Sequence, residues 1–304
     1  MLKQIFFQYL TAERNRSTHT VEAYRGDLES LASWLEEMHG FYLHEESSVS
    51  KIRNRHLRAW MGDLMERGYT ARSVARKLSA AKSYFKFLLR RGYIDADPAQ
   101  QVRSPGFDQK LPAFLKESET EKLFEGFSFP QDFEGRRDCL MMELLYGCGL
   151  RRAEIISLQW EDFDIYNRTL RVLGKRSKMR IIPFGKAVQA AAEEYKVVFQ
   201  EKGLNPKGPL LQRPNGKPLY PSLVYRAVKK HLATITSQQT SPHILRHTFA
   251  THLLDHGADL NAIKDMLGHA SLSATQVYTH NSIRKLKEAH AQAHPRSGDD
   301  SVSS

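Results

Sequence analysis

Residues 95–112 limit the fold more than any other stretch of this sequence, because they hold Pro98, Pro105, Gly106 and Pro112 with little apolar periodicity. Proline removes a backbone donor and clashes with the preceding turn, so no long helix crosses such a run. The 304 residues therefore divide into two parts, each long enough to bury its own core. The expected organisation is an N-terminal domain at 1–104, a linker at 105–112, a second domain at 113–296 and a tail at 297–304. The tail (SGDDSVSS) has too little apolar character to pack and is expected to be disordered.

The N-terminal part reads as helices. Val21, Tyr24, Leu28, Leu31, Leu35 and Met38 recur at steps of three and four, the stripe of an amphipathic helix. Ser17 or Thr18 is placed to cap its start and Gly40 to stop it. A shorter helix is expected over 55–66, ending near Gly68. In the next helix Val74, Leu78, Ala81, Phe85 and Leu88 form an apolar face, while Arg72, Arg76, Ser79, Lys82, Lys86 and Arg90 recur on another. No acidic residue interrupts 70–91. A solvated helix face normally mixes signs to gain i,i+4 pairs, so an all-positive stripe suits a phosphate backbone better. Arg72, Arg76, Lys82 and Lys86 are accordingly candidate DNA contacts, the alternative being a plain solvent face.

Beyond the break, Ser118–Glu121 reads as a capping box opening a helix. Residues 137–146 form a strongly apolar helical stretch that stops at Gly147-Cys148-Gly149. Residues 169–174 and 179–184 look like two short strands joined through 175–178 as a hairpin, and helical patterns resume from Lys186. The fold class expected is mainly α, with two domains and a minor sheet in the second.

Composition excludes several function classes. A hydrophobic share of 41% with 26% charged residues describes an ordinary globular chain, and no apolar run reaches the ~18–20 residues that span a bilayer. Charges follow the short apolar stretch at the N-terminus immediately, so no secretory signal and no membrane partner are expected. Cys139 and Cys148 are too few for a disulfide framework or a four-cysteine zinc site and read as buried thiols in a reducing cytoplasm. The 45 Lys+Arg against 34 Asp+Glu leave a net charge of +11. Residues 1–105 carry 17 basic against 12 acidic side chains, a net of +5, so both halves are basic. A polyanion touched by both domains, such as duplex DNA, would explain that distribution; a merely soluble basic protein is the alternative.

Several motifs fail on inspection. Gly147-Cys-Gly149 begins like a dinucleotide fingerprint, but Arg152 stands where the third glycine belongs. There is no Walker A sequence. His243/His247 and His252/His256 have the i,i+4 spacing of paired metal ligands, yet neither pair has the Glu of an HExxH site. What remains is Arg151 at a turn into a helix over 153–158, Lys175 at the hairpin tip, and His243 with Arg246 one helical turn apart. Leu267-Gly268-His269 follows, with Tyr278 nine residues later.

In that order the sequence resembles the tyrosine recombinases, specifically the Xer-type site-specific recombinases. The matching stretches are TVEAYRGDL (20–28), SVARKLSAAKSYF (73–85), GLRRAEIISL (149–158), VLGKRSKMR (172–180), HILRHTFATHLLDHGAD (243–259) and MLGHASLSATQVYTH (266–280). The resemblance spans nearly the whole chain. It maps the family's Arg, Lys, His-x-x-Arg, His and Tyr onto Arg151, Lys175, His243, Arg246, His269 and Tyr278. It implies a SAM-like helical core-binding domain and a catalytic domain closing around DNA.

The implied chemistry suits those residue types. A phenol such as Tyr278 forms a phosphoryl ester that a later DNA hydroxyl reverses, so no ATP, cofactor or metal is called for. Arg151 and Arg246 offer forked donors to the non-bridging oxygens, Lys175 protonates the leaving 5′-hydroxyl, and His243 and His269 accept the Tyr278 proton and bond the phosphate. Glu154 reads as a structural partner orienting arginine. The resemblance also implies four protomers, alike or paired with a paralogous recombinase, exchanging strands through a Holliday junction at a dif-like site. It adds regulation by an FtsK-type DNA translocase. The rivals are a phage or transposon integrase, a type IB topoisomerase and a non-catalytic DNA-binding protein of the same fold. Finally, 282–294 forms a helix whose strip of Ile283, Leu286 and Ala289 needs a partner: its own domain, or, as the resemblance favours, a neighbouring protomer.

Overall fold

The computed structural model describes residues 1–106, 113–126, 129–174, 179–236, 240–268 and 280–298. The chain is mainly helical with one small sheet and forms two compact units, Met1–Gln109 and Lys110–Ser304.

The first unit begins with α1 (Leu2–Gln8), which runs into a π-helical turn (Tyr9–Glu13). The expected long helix is α2 (Thr18–His39). Ser17 Oγ accepts the Thr20 N–H at 3.3 Å, a cap worth about 1 kcal/mol, and Gly40 closes the helix at φ 62°. After the single turn α3 (Glu46–Val49) come α4 (Asn54–Glu66) and α5 (Ala71–Arg90). Leu28, Leu31 and Leu35 of α2, Leu57, Trp60 and Leu64 of α4, and Val74, Leu78, Phe85 and Leu88 of α5 are buried together. Met38, at the end of the predicted stripe, is 58% exposed because the helix outruns the core there.

The second unit opens with α6 (Glu117–Phe124), which corrects the predicted cap. The box is formed by Lys116 and Glu119: the Glu119 carboxylate accepts the Lys116 N–H at 2.8 Å, two residues before the expected pair. Helix α7 (Phe133–Gly147) is the centre of the unit. Leu140, Met141, Met142, Leu144, Leu145 and Tyr146 are all fully buried, so its second half is enclosed on every side and shows no one-sided stripe. Helix α8 (Arg152–Ser157) follows, then β1 (Phe163–Asp164), β2 (Thr169–Leu173) and β3 (Met179–Pro183). The sheet is antiparallel in the order β1-β2-β3, with Leu170 opposite Ile182 and Val172 opposite Arg180. Its two-residue edge strand β1 is too short to leave a periodic signal and was not expected.

Helix α9 (Lys186–Glu201) lays Val188, Ala191, Ala192, Tyr195 and Phe199 on the core, and α10 (Pro221–Leu232), α11 (Pro242–Asp255) and α12 (Leu260–Leu267) complete the body. Both α10 and α11 start with proline at the first helical position, where the missing N–H costs nothing.

Helix α13 (His280–Ala293) bears on two expectations. In this single chain it covers its own unit: Leu286, His290, Ala293 and His294 are buried, and Ala289 packs on the same core. The strip is wider than the sequence indicated because two imidazoles extend it, with His290 and His294 stacked 4.8 Å apart. The tail expected to be disordered from 297 is held at its start. Ser297 is buried, and its carbonyl accepts the Lys186 N–H at 2.8 Å at the head of α9. Gly185 leaves room for it, since a Cβ there would lie 2.5 Å from Ser297 Cα. Residues 299–304 lie outside the described residues.

Candidate active site

The site grows from the turn between α7 and α8. Gly149 sits at φ +58°, and a Cβ there would lie 2.5 Å from Phe249 of α11, so the chain must be glycine to turn this closely. The turn delivers Arg151 as the residue capping α8. One helical turn on, Glu154 is buried and accepts twice from Arg151: the backbone N–H at 2.8 Å and Nη1 at 2.7 Å.

A second guanidinium completes the carboxylate. Arg180 of β3, 4% exposed, donates Nη1 to Glu154 Oε1 at 2.9 Å and Nη2 to Oε2 at 2.8 Å. Burial works against a charged Glu154, but the Arg180 hydrogen bonds and charge, with those of Arg151, reverse this and hold its carboxyl below the usual range. Arg246, on α11, lies 3.8 Å from the same carboxylate and donates to the Gly149 carbonyl at 2.5 Å and the Leu267 carbonyl at 2.6 Å. Burial, then the neighbouring Arg151 charge, depresses Arg246 to about 10, and it stays protonated at neutral pH.

The end of α12 closes the cluster. Arg180 Nε donates to the Met266 carbonyl at 2.8 Å, and Arg151 Nη2 reaches the Gly268 carbonyl at 3.4 Å. Three successive carbonyls at a helix C-terminus, which have no partner within the helix, thus meet three guanidiniums. Among the described residues, three cations against one carboxylate leave a positive surplus. Arg151 keeps 35% of its side chain exposed, so the surplus faces solvent, and a phosphate would supply the missing negative charge.

The structure therefore brings Arg151 and Arg246 together as expected, and Glu154 is the carboxylate that Arg151 bonds and Arg246 approaches. His243 is exposed in the first turn of α11, one turn before Arg246. Lys175, His269 and Tyr278 lie outside the described residues. The other histidine pair is structural: His252 Nδ1 lies 2.8 Å from Tyr146 Oη and its Nε2 2.9 Å from the Leu115 carbonyl, while His256 pairs with Glu117. Both cysteines are apolar filler. Burial pushes Cys139 up to about 12 and Cys148 higher still.

Sequence reasoning missed Arg180. The signal was its register: β3 alternates, with Ile182 inward, and Arg180 shares that inward phase. It also missed that 202–254 contain no Asp or Glu while carrying eight Lys and Arg. Of these, Arg226 donates to Tyr220 Oη at 2.9 Å and Arg213 lies 5.3 Å over the Tyr220 ring, a basic and aromatic face at the start of α10.

On α5 the cationic stripe is only partly available. Arg72 and Lys86 are exposed and Lys82 half-buried, but Arg76 pairs with the buried Asp27 of α2, which Lys77 also approaches at 3.5 Å. Arg91, just past the helix, pairs with Glu13. The acids come from other elements, which is why the helix's own sequence showed none.

Comparison with known proteins is consistent across the chain. Residues 113–284 match the Phage integrase family and residues 4–92 the N-terminal SAM-like domain of phage integrases. Tyrosine recombinase XerC of Chlorobaculum parvum is 38% identical over 95% of this chain and 93% of its own. Tyrosine recombinase XerD of Pseudomonas putida is 37% identical over 96% of each. Among solved structures, the XerH recombinase bound to a palindromic difH substrate superposes with a TM-score of 0.69 at 20% identity, covering 95% of this chain and 84% of that one. The Tn1549 transposon integrase bound to a circular intermediate DNA gives the same score over 93% and 97%.

Proposed function

Since the chain belongs to the phage integrase family and is a tyrosine-type site-specific DNA recombinase, we propose that it cuts and rejoins duplex DNA through a covalent 3′-phosphotyrosine at Tyr278. The observation that supports this reading is the pair Arg151 and Arg246 gathered on a buried Glu154 with positive charge in excess. A phosphodiester undergoing attack concentrates charge on its non-bridging oxygens, and two pre-positioned guanidiniums stabilise that charge without reorganising. Tyr278 supplies the nucleophile and leaves the strand on a 3′-phosphoryl ester. Lys175 donates the proton that the departing 5′-hydroxyl needs. His243, at the positive end of α11, and His269, directly after the pinned end of α12, bond the phosphate and take the tyrosine proton. The fixed cations do the electrostatic work, so the reaction runs without a cofactor or metal.

The partner is duplex DNA. In the first unit Arg72, Lys82 and Lys86 contact phosphates; Arg76, tied to Asp27, plays a smaller part than the sequence indicated. In the second unit the acid-free segment around α10 supplies further contacts. Relatives named XerC and XerD matched over nearly their whole length favour the Xer role over a phage or transposon integrase. That role is resolution of chromosome dimers in the cytoplasm at a dif-like site, by a tetramer of this chain or of this chain with a paralogue, through a Holliday junction and under an FtsK-type translocase. The test is a nicked suicide substrate that traps the cleaved strand. Wild-type protein should give a covalent DNA adduct in EDTA, and Tyr278→Phe should bind the DNA equally well and give none. Cleavage lost on chelation and restored by a divalent ion would overturn the mechanism.

A further inference from the structure

We propose that Arg180 is a positioning residue for strand cleavage: it locks Arg151 through Glu154 and fixes the end of α12 through the Met266 carbonyl. The inference rests on the recombinase reading above. Arg180 itself touches no DNA, being 4% exposed, and its two Nη atoms and its Nε are committed to Glu154 and Met266.

The argument is geometric. Arg151 engages both Glu154 oxygens, its backbone N–H on Oε2 and Nη1 on Oε1, but both bonds lie within one turn of chain and tie the carboxylate to nothing beyond it. Arg180 reaches the carboxylate from a different element, β3, and takes both oxygens at 2.8–2.9 Å, which fixes the plane of the group. With that plane fixed, the Oε1 that meets Arg151 Nη1 has one position, and so has the guanidinium it aims.

The third donor of Arg180 acts on a separate segment. Met266 is the next-to-last residue of α12, and the residue after its glycine cap is His269. Gly268 is packed against the guanidinium, since a Cβ there would lie 3.1 Å from Arg180 Cδ and 3.2 Å from Nη1. One side chain therefore sets both the arginine at 151 and the point from which the chain leaves for 269. Arg180 is also the second residue of β3, opposite Val172, so the same contacts anchor the strand that follows residues 175–178. Lysine cannot reproduce this: an ammonium is a point charge and cannot take both carboxylate oxygens in one plane while bonding a third acceptor.

The test compares wild type, Arg180→Lys and Arg180→Met on a suicide half-site substrate, measuring DNA affinity, single-turnover cleavage at saturating DNA, and the pH dependence of that rate. Arg180→Lys keeps the buried charge and is the fold-sparing variant; thermal melts establish the temperature at which each protein is fully folded, and rates are read there. The expected result is near wild-type affinity with cleavage slowed by about 10²-fold, the scale of a displacement of roughly 1 Å in reacting groups. The slowed rate should also acquire an acid limb. Without the fork, burial raises Glu154 towards protonation, and a protonated Glu154 no longer aims Arg151; raising the pH restores part of the rate. A folded Arg180→Lys protein that cleaves at the wild-type rate, with the wild-type pH profile, overturns the proposal. Tyr278→Phe is run alongside: if wild-type protein forms no adduct that this variant abolishes, the recombinase mechanism has failed, whereas an intact mechanism with an indifferent Arg180→Lys defeats this inference alone.

Discussion

Substituting Gly149 by alanine tests the packing that holds the arginine cluster. Two costs follow from its surroundings. At φ +58° an L-residue loses roughly 1–2 kcal/mol to the left-handed backbone. The new Cβ would also lie 2.5 Å and 2.9 Å from Phe249 ring carbons and 3.1 Å from Leu267 Cδ2, in a core where Phe249 is fully buried and cannot swing aside. Overpacking of that kind costs about 1–3 kcal/mol, giving roughly 2–5 kcal/mol in all. Gly203 is the control: it has φ +65° but nothing within 4 Å of its would-be Cβ, so Gly203→Ala costs only the backbone part. In calorimetric melts a loss near 3 kcal/mol lowers the transition of the second unit by roughly 6–12 °C, against about 2–8 °C for the control. Because the Gly149 carbonyl accepts from Arg246, cleavage by Gly149→Ala should fall even where the protein is fully folded, while Gly203→Ala cleaves normally. Equal melting shifts in the two variants, or normal cleavage by Gly149→Ala, would refute the reasoning.

Neutralising Arg72, Lys82 and Lys86 together should weaken DNA binding and reduce its salt slope by about 0.9 for each phosphate no longer neutralised, whereas Arg76→Ala should change the slope by less than one such contact and destabilise the first unit by stripping a partner from buried Asp27. A binding titration across salt concentrations separates the two outcomes. The histidines under α13 make the second unit acid-sensitive. Burial and then the charge of His290 depress His294 well below 6.5, and burial lowers His252. Both bind a proton less readily folded than unfolded, so stability is fullest above about pH 6.5 and declines as the pH falls below it. Melts between pH 7 and 5 should show this decline, and His294→Phe, which keeps a ring against Tyr146 and Phe249, should flatten it.

The sequence was legible wherever one residue type at one spacing had a single physical use. The stripe of α2, the apolar face of α5, the paired strands and the Arg151 and His243-x-x-Arg246 positions fall where the pattern put them. Illegible features depend on groups distant in the chain. Asp27 neutralises Arg76 across 49 residues, and Arg180 meets Glu154 across 26, and no local window contains both partners. The start of α6 slipped by two residues because two glutamates, Glu119 and Glu121, could each have served as the third residue of the box. The fate of α13 was open for a similar reason: a narrow apolar strip says that a partner exists, while the buried His290 and His294 that widen it look polar in sequence.

The most direct measurement of the central claim is the identity of the residue bonded to DNA. The complex trapped on a nicked substrate is digested with nuclease and protease, and the modified peptide is sequenced by mass spectrometry. The account predicts a 3′-phosphoryl adduct on Tyr278, formed in EDTA. An adduct on any other side chain, or strand cleavage with no protein attached, would contradict it.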